Sequence, residues 1–319
     1  MAGSAELLLS GPLLADGAIE TRLIYEFGLP TPDFAAFVHL FSDTGRATLA
    51  SIYRGYLEIA AESGLPMQVG TPTWRAHPDG LARQGFCAPG DLACVNAAAF
   101  ELLAGLRAEL GLEGRVLIAG VIGPRRDGYD PAGAPDTAEA EAYHGAQART
   151  LAALGVDLLY APTFASAPEL EGVARACAAT ALPYALAPVV DEAGRMPDGT
   201  ALADAVARVD EGVTPPPRHF LLGCVHPARV DQVAGAGALP GHHRVAGVKA
   251  NAADLPAEEL NRLDRLAGDP PEAFARAMLG LRRHGLTIFG GCCGTTDAHI
   301  RALAHGMKAE GWATGEAPA

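Results

Sequence analysis

Short apolar runs alternate along the chain with longer stretches in which apolar residues recur at helical spacing. The runs are rich in Val, Ile, Leu and Tyr without polar alternation, which is typical of parallel strands covered on both faces. Strands that alternate with helices indicate an α/β fold, and eight such units predict a single (β/α)8 TIM-type barrel. The eight predicted strands are Leu7–Leu14, Met67–Gly70, Val116–Val121, Asp157–Tyr160, Tyr184–Ala187, Phe220–Gly223, Val245–Val248 and Thr287–Phe289.

Helical periodicity separates these strands. In the first predicted helix, Thr48–Ser63, apolar residues recur with a period close to 3.6. Asp43 and Thr44 lie just before it, where an N-cap belongs, and Gly155 and Gly285 lie where C-caps are expected. The other predicted helices are Leu92–Leu110, Ala138–Leu154, Ala167–Ala178, Leu202–Val209, Pro271–Arg283 and Thr296–Met307.

The length of the chain agrees with one barrel. A (β/α)8 barrel needs about 250 residues, and this chain has 319. We therefore predict one domain over residues 1–319, with a flexible tail from about residue 312. The main rival is an open doubly wound sheet, but the glycine-rich phosphate turn of that fold is missing. Long loops are predicted at Trp74–Pro89 and Arg125–Asp136, both at the catalytic face.

Composition and charge narrow the possible partners. The formal net charge is -13, which argues against nucleic acid, whose binding needs a basic surface. No apolar run approaches the roughly 20 residues of a membrane span, and the start lacks the basic flank of a signal peptide. We expect a cytoplasmic protein that binds neither nucleic acid nor membranes. Association into a homo-oligomer is compatible with the fold, although no sequence patch predicts it.

The strongest chemical signal is the run Gly290–Thr295, Gly-Gly-Cys-Cys-Gly-Thr, directly after the last predicted strand. Adjacent cysteines at the end of a barrel strand direct two thiols into the catalytic mouth, and the flanking glycines permit a close turn. Cys224 follows the sixth predicted strand at the same face. Three thiolates leave one tetrahedral position open, as in a catalytic zinc site. Cys87 and Cys94 fit no known ligand spacing, and Cys177, within the predicted helix Ala167–Ala178, is interpreted as an ordinary buried cysteine.

These residues resemble the homocysteine S-methyltransferase family, including its betaine-dependent and S-methylmethionine-dependent members. The resemblance extends from Asp16 to about Ala304 and includes the double-cysteine run, an early Asp-Gly-Ala and the segment around Asn251. It implies a (β/α)8 barrel in which Asp16 holds the amino group of an amino-acid acceptor. It also implies a Zn²⁺ cofactor, a small-molecule thiol acceptor such as homocysteine, and a role in methionine biosynthesis. The implied zinc ligands are Cys224, Cys292 and Cys293.

The expected chemistry is methyl transfer to a thiolate. Only the thiolate is a good nucleophile, and zinc removes the proton from a bound thiol. The sulfur then attacks the methyl group of a sulfonium or quaternary ammonium donor, which leaves as a neutral molecule, so the protein mainly positions the reactants. Aromatic faces hold onium groups by cation–π attraction. The candidates are Trp74, Tyr129, Tyr160 and Phe164, with ordinary packing as the alternative.

Three positions depart from the family pattern. Pro162-Thr163 stands where many relatives have Glu-Thr, Gly223 where they often have Asn, and Thr71-Pro72-Thr73 where they often have Thr-Asn-Thr. These changes spare the predicted metal ligands and alter the acceptor pocket. We hypothesise that Glu20 supplies the carboxylate that is missing at Pro162. A solvated loop charge is the alternative for Glu20.

Other interpretations remain open at this level. His226 or His77 can fill the fourth zinc position, and Arg125-Arg126 can bind a substrate carboxylate. Lys249, at the predicted end of the seventh strand, can form a Schiff base, which would make the protein a lyase or aldolase. That reading leaves the paired cysteines unexplained. A zinc-binding barrel without catalysis is the third possibility.

Overall fold

The structure is a computed structural model that describes residues 11–240, 244–255, 259 and 265–312. Eight parallel strands close into a barrel in chain order, with β8 pairing with β1. The predicted (β/α)8 barrel is therefore confirmed. The strands are β1 (Leu13–Ala15), β2 (Met67–Gly70), β3 (Val116–Val121), β4 (Leu158–Phe164), β5 (Tyr184–Pro188), β6 (His219–Val225), β7 (Val245–Ala250) and β8 (Ile288–Gly291).

Several strands extend further toward the barrel mouth than the apolar runs indicated. β4 continues through Pro162 and β6 continues through Gly223, each with a register shift in its ladder. Cys224 consequently lies within β6, and the prediction that it follows the strand was wrong. Proline and glycine interrupt an apolar sequence pattern, but the hydrogen-bonded ladder continues beyond them through a β-bulge. Of the first predicted strand, Leu7–Leu14, residues 7–10 lie outside the described part of the chain.

The described residues form ten α-helices and three short 3₁₀ helices, at Pro32–Phe34, Ala36–Phe41 and Leu281–His284. The α-helices are α1 (Glu20–Tyr25), α2 (Asp43–Ser63), α3 (Pro78–Arg83), α4 (Asp91–Glu109), α5 (Thr137–Leu154), α6 (Ala167–Ala178), α7 (Leu202–Gly212), α8 (Pro227–Gly235), α9 (Pro271–Gly280) and α10 (Asp297–Ala309).

Three helices were not predicted: α1, α3 and α8. Both α1 and α3 have only 6 residues, too few for helical periodicity to become visible. Helix α3 interrupts the segment Trp74–Pro89, which was predicted as a loop. The other predicted loop, Arg125–Asp136, does lack regular structure. No helix in the described part of the chain is long and apolar enough to span a membrane.

Helix α2 starts earlier than the predicted Thr48 because of its cap. The Ser42 hydroxyl accepts a hydrogen bond from the Gly45 amide at 3.2 Å, so Asp43 and Thr44 lie inside the helix. Gly155 and Gly285 take left-handed conformations at their helix ends, as predicted.

Two apolar layers surround the strands. The larger layer lies between strands and helices, and a smaller cluster fills the barrel interior with residues such as Leu117, Leu158, Tyr160 and Leu221. The interior cluster forms a floor beneath the strand ends. Trp312 is buried, with its ring 5.4 Å from that of Phe289. The remainder of the predicted flexible tail lies outside the described residues.

Replacing Ser42 tests the cap of α2. Ser42→Ala leaves the amide of Gly45 without its acceptor, which should lower the free energy of unfolding by about 1 kcal/mol, as measured by urea denaturation. Ser51→Ala, an exposed position within the same helix, is the matched control and should cost nothing, since alanine favours helices. Equal effects of the two changes would contradict the assigned cap.

Candidate metal centre and substrate cavity

Three cysteine side chains converge at the carboxyl-terminal mouth of the barrel. Cys224 comes from β6, and Cys292 and Cys293 follow β8. Their sulfur atoms all lie within 4.8 Å of one another, and the sulfur atoms of Cys224 and Cys292 are 2.7 Å apart. Among the described residues, no histidine or carboxylate joins this group. The structure thus brings together the three residues that the sequence predicted as ligands.

Asn251 joins the two segments that carry the cysteines. Its side-chain amide donates to the carbonyl of Cys224 at 2.9 Å, and its oxygen accepts from the amide of Cys293 at 3.1 Å. Cys224 has a φ of 54°, a left-handed conformation that is unfavourable for a residue with a side chain. The bond to its carbonyl helps hold this conformation. Sequence reasoning noted the segment around Asn251 without assigning this role.

The glycines around the cysteine pair are required by close packing. A side chain at Gly290 would come within 2.6 Å of the Ala15 Cβ, and one at Gly291 within 2.2 Å of the Thr295 hydroxyl. That hydroxyl donates to the carbonyl of Cys292 at 2.7 Å and accepts from the amide of Ala18 at 3.1 Å. The turn after β8 is therefore fastened to the chain after β1.

The three thiols share charge unequally. Hydrogen bonds from the thiols of Cys292 and Cys293 lower the pKa of Cys224 well below its usual range. Donating these hydrogen bonds to Cys224 raises the pKa of both Cys292 and Cys293. The cluster by itself therefore favours one thiolate, while a bound cation would allow all three to ionise.

This donor set fits a thiophilic metal ion. In a tetrahedral site with bonds of about 2.3 Å, the sulfur ligands lie about 3.8 Å apart. The cluster stays within 4.8 Å, and the sulfur atoms of Cys224 and Cys292, 2.7 Å apart, would separate by about 1 Å around the ion. Three protein ligands leave a position for a substrate atom, which distinguishes a catalytic site from a closed structural one. Cys224, Cys292 and Cys293 would hold such an ion.

A cavity of about 150 Å³ adjoins the three thiols. It lies at the carboxyl-terminal ends of the strands, where barrel enzymes carry their active sites. Its walls combine three charged side chains with four aromatic ones: Asp16, Glu20, Lys249, Phe34, Trp74, Tyr129 and Tyr160. The cavity therefore offers both charged and aromatic surfaces to a small ligand beside the thiols.

Asp16 is buried at the end of β1 and paired with Lys249. One carboxylate oxygen accepts from the Gly70 amide at 2.8 Å, and the other accepts from the Lys249 ammonium. Burial opposes the charge on Lys249, but Asp16 outweighs it and raises the pKa of the ammonium above its usual value. A protonated amine is not nucleophilic, so this pairing disfavours the Schiff-base reading of Lys249.

Glu20 lies on the cavity wall as the first residue of α1. Burial raises the pKa of its carboxyl to about 7, despite the opposing effect of its own backbone amide and of Lys249. Glu20 is therefore about half ionised near neutral pH and is not a solvated surface charge.

The aromatic candidates are divided by the structure. Trp74, Tyr129 and Tyr160 line the cavity, but Phe164 is fully buried with its ring 5.6 Å from that of His144. The suggestion that Phe164 faces a ligand was wrong, because β4 bulges after Pro162 and turns this side chain into the core. Phe34 reaches the cavity from a short 3₁₀ helix that no periodic pattern revealed.

The loop after β3 carries Tyr129 to the metal ligands. The Asp127 carboxylate accepts from the Tyr129 amide at 2.7 Å, which shapes the turn. A side chain at Gly128 would meet Thr163 at 2.7 Å, so the loop packs tightly against β4. Burial and the nearby charge of Cys224 raise the pKa of Tyr129 well above its usual range. Its hydroxyl is thus a neutral donor that interacts with the Cys224 sulfur.

The histidine and arginine candidates are engaged elsewhere. His226 and His77 cap α8 and α3 through hydrogen bonds of 3.3 Å and 3.1 Å from backbone amides. Neither lines the cavity. Arg125 forms ion pairs with Asp79 and Glu139 at 2.8 Å and 2.5 Å, away from the cavity. These side chains support the loops that carry the site.

Two of the three segments that depart from the family pattern have identified contacts. Thr71 and Thr73 bond to each other at 2.6 Å and join β2 to the backbone of β3 at Val121. Pro162 lines the cavity and accepts from the Trp74 indole at 3.3 Å. It therefore fixes an aromatic wall where a carboxylate was expected.

A (β/α)8 barrel whose mouth holds three converging thiols beside a small cavity defines the class of barrel thiol methyltransferases. Residues 13–307 match the family model described as homocysteine S-methyltransferase. Because this match covers most of the 319 residues, the chain belongs to the homocysteine S-methyltransferase family and is a thiol methyltransferase.

Solved structures share this fold. The metallated form of the homocysteine methyltransferase MmuM from Escherichia coli superimposes with a TM-score of 0.75 at 22% identity, covering 95% of this chain and 99% of that chain. Its oxidised form gives a TM-score of 0.73 at 21% identity with the same coverage. At these identities the similarity demonstrates a common fold. Comparison with curated protein sequences gave no match.

Asn251 should control how well the cysteines bind a metal ion. Asn251→Ala removes the bridge between Cys224 and Cys293, and loss of such a supporting partner typically weakens metal binding about 10- to 100-fold. Competition with a chromophoric chelator measures this affinity for zinc. Cys94→Ser, at an exposed thiol outside the cluster, is the control. Unchanged affinity in Asn251→Ala would mean that the cysteines are held without it.

Glu20 should make stability depend on pH. Its pKa is about 7 when folded against an ordinary 4.5, so between these values the folded state binds more protons and stability falls as pH rises. Glu20→Gln should remove this loss of stability, because glutamine does not titrate. In metal-free protein we expect the variant to gain about 2 kcal/mol over the wild type at pH 8 and less than half of that at pH 5.

Urea denaturation at both pH values measures this difference. Glu113→Gln, at an exposed position, should change stability equally little at either pH. If Glu20→Gln behaves like this control, Glu20 titrates normally and its burial has no energetic consequence.

Proposed function

We propose that this protein is a zinc-dependent S-methyltransferase that moves a methyl group from a small sulfonium or betaine-type donor to a thiol such as homocysteine. The observation that carries the proposal is the convergence of Cys224, Cys292 and Cys293 at the edge of the cavity. Thiol groups so close together are best explained as ligands of one metal ion that leaves a position open to the acceptor.

Zinc suits this site because thiolates bind it well and it does no redox chemistry. When bound, it would supply a Lewis acid that keeps the acceptor sulfur ionised at neutral pH. The chain itself holds the cysteines in place through Asn251 and the fastened turn after β8. The Tyr129 hydroxyl adds a neutral donor toward the Cys224 sulfur.

The aromatic walls favour a cationic donor. Trp74, Tyr129 and Phe34 line the same cavity, and aromatic faces attract onium groups. The Trp74 ring is held by the Arg75 guanidinium, 4.0 Å from its centroid, and by its bond to Pro162. Such fixed surfaces can align the methyl carbon with the attacking sulfur, and the neutral product then loses its attraction to them.

Asp16 and Glu20 would act on the acceptor. Both line the cavity near the thiols. We assign Asp16, through its ion pair with Lys249, to the wall that receives the polar end of the acceptor, and Glu20 to the role of the carboxylate that relatives often have at the Pro162 position. Glu20 would be a receptor for an ammonium group only in its ionised form, above pH about 7.

The chemistry also bears on location and biological role. Three thiols within contact distance need reducing surroundings to stay available to a metal ion, so we infer a cytoplasmic enzyme. The family assignment supports a role in methionine biosynthesis. We infer small-molecule partners only, since the charge of -13 disfavours nucleic acid.

Metal analysis and methyl transfer on the same samples test the proposal. Freshly purified wild-type protein should contain about one zinc per chain and transfer methyl groups from at least one of S-methylmethionine, betaine or S-adenosylmethionine to homocysteine or a related thiol. Cys292→Ser/Cys293→Ser should lose both the metal and the activity, because one thiolate cannot retain the ion. Mass spectrometry of the methylated thiol measures the transfer.

The matched control is Cys87→Ser/Cys94→Ser, which changes two exposed thiols outside the cluster and should keep metal and activity. Wild-type protein that holds no zinc after reduction and reconstitution would refute the metal proposal. Zinc without methyl transfer to any thiol would instead favour a binding barrel without catalysis.

A further inference from the structure

Lys249 is the only basic residue among the described residues that line the cavity. It stands at the end of β7, with its ammonium bonded to the Asp16 carboxylate. An ammonium has three N–H donors, and Asp16 receives one of them. Asp16 is fixed in turn by the Gly70 amide. The pair is net neutral, but it immobilises the ammonium and leaves two of its N–H donors available at the wall of a ligand cavity.

Tyr160 offers a second unused donor on the same cavity wall. Its side chain is 3% exposed, yet its hydroxyl has no hydrogen-bond partner among the described residues. A buried hydroxyl without a partner costs about 1 to 3 kcal/mol, so such groups commonly await a ligand or water. The Lys249 nitrogen lies 5.9 Å from the centre of the Tyr160 ring. The two side chains thus lie close together in the lining of the cavity.

We propose that Lys249 and Tyr160 form a carboxylate-binding subsite, and that the natural acceptor is a thiol carboxylic acid whose α-ammonium group is not required. This inference rests on the proposed thiol methyltransferase function and names the acceptor class of that same site. The carboxylate would accept from the Lys249 ammonium and from the Tyr160 hydroxyl, a charge-assisted pair of bonds. The thiol end of the same molecule would point to the cysteine cluster.

Electrostatics at Asp16 support this assignment. A carboxylate that is free in a cavity would attract the ammonium of an amino acid. Here the Lys249 ammonium already occupies one oxygen of Asp16, and the Gly70 amide occupies the other. An acceptor ammonium at Asp16 would lie beside the charge of Lys249 and be repelled by it. Asp16 is therefore a positioning residue for Lys249 in this protein.

The other candidate for an ammonium is Glu20, and it is a poor one at neutral pH. Burial keeps a large fraction of its carboxyl protonated up to pH about 7. No further carboxylate lines the cavity within the described ranges. Recognition of a carboxylate through two unused donors explains the cavity better than recognition of an ammonium.

Three thiols of matched length test the inference on the zinc-loaded protein. The first is homocysteine, the second is 4-mercaptobutanoate, which lacks its amino group, and the third is 3-aminopropane-1-thiol, which lacks its carboxylate. Calorimetry measures their binding without requiring methyl transfer. We expect 4-mercaptobutanoate to bind at least as well as homocysteine. The aminothiol should bind about 10- to 100-fold more weakly, the usual cost of one charged hydrogen bond.

Two variants locate the effect. Tyr160→Phe should weaken both carboxylate-bearing thiols about 10-fold and leave the aminothiol unchanged. Lys249→Met should weaken 4-mercaptobutanoate and, by freeing Asp16, strengthen the aminothiol, so that the order of preference reverses. A purely structural role for Lys249 would weaken all three thiols alike. The controls are Lys308→Met and Tyr25→Phe, both outside the cavity, which should bind all three thiols as the wild type does.

Particular results would overturn the inference. Wild-type protein that binds homocysteine at least 10-fold better than 4-mercaptobutanoate, with this preference lost in Glu20→Gln, would assign an ammonium to Glu20 and leave the methyltransferase proposal intact. The same holds if Lys249→Met and Tyr160→Phe leave the ratio of the three affinities unchanged. Binding of none of the thiols to zinc-loaded protein would instead refute the proposed function together with its subsite.

Discussion

The closure of the barrel between β8 and β1 is the constraint on which the site depends. Gly290 packs against Ala15 with no room for a side chain, and the turn that follows is bonded through Thr295 to the amide of Ala18. This contact sets the cysteine pair beside the chain that carries Asp16 and Glu20. Only glycine tolerates so close an approach. The position of the adjacent thiols is therefore fixed by this contact.

On the other side of the barrel mouth, the thiol of Cys224 is held by a different set of contacts. Cys224 takes a left-handed conformation inside β6, where the strand ladder shifts its register. Asn251 fastens this residue to the turn after β8 through its two side-chain atoms. The local strain is sustained because neighbouring strands determine the backbone on both sides. A site assembled this way is preorganised before any metal or substrate arrives.

Charge then separates the cavity into two regions. Near the cysteines and Tyr129 the sulfur atoms supply negative charge for a metal ion, and aromatic walls can receive a cationic donor. At the end of β7, Lys249 neutralises the charge of Asp16 and leaves N–H donors at that wall. The fold and thiol cluster of the family are thus combined with a cavity wall on which the charge of Asp16 is balanced by Lys249.

The sequence by itself determined the barrel, seven of its strands to within a few residues, and the three cysteines that meet at its mouth. The strands follow from apolar periodicity. The cysteines follow from the glycine–cysteine run, whose paired thiols are typical of a metal site. Only the tertiary structure revealed the partnership of Lys249 with Asp16, the place of Phe34, and a Tyr160 hydroxyl that has no hydrogen-bond partner among the described residues. Such contacts join residues far apart in the chain, and short helices or left-handed residues leave no periodic trace. Burial also decided the charge of Glu20, because the environment that raises its pKa is built from several separate strands.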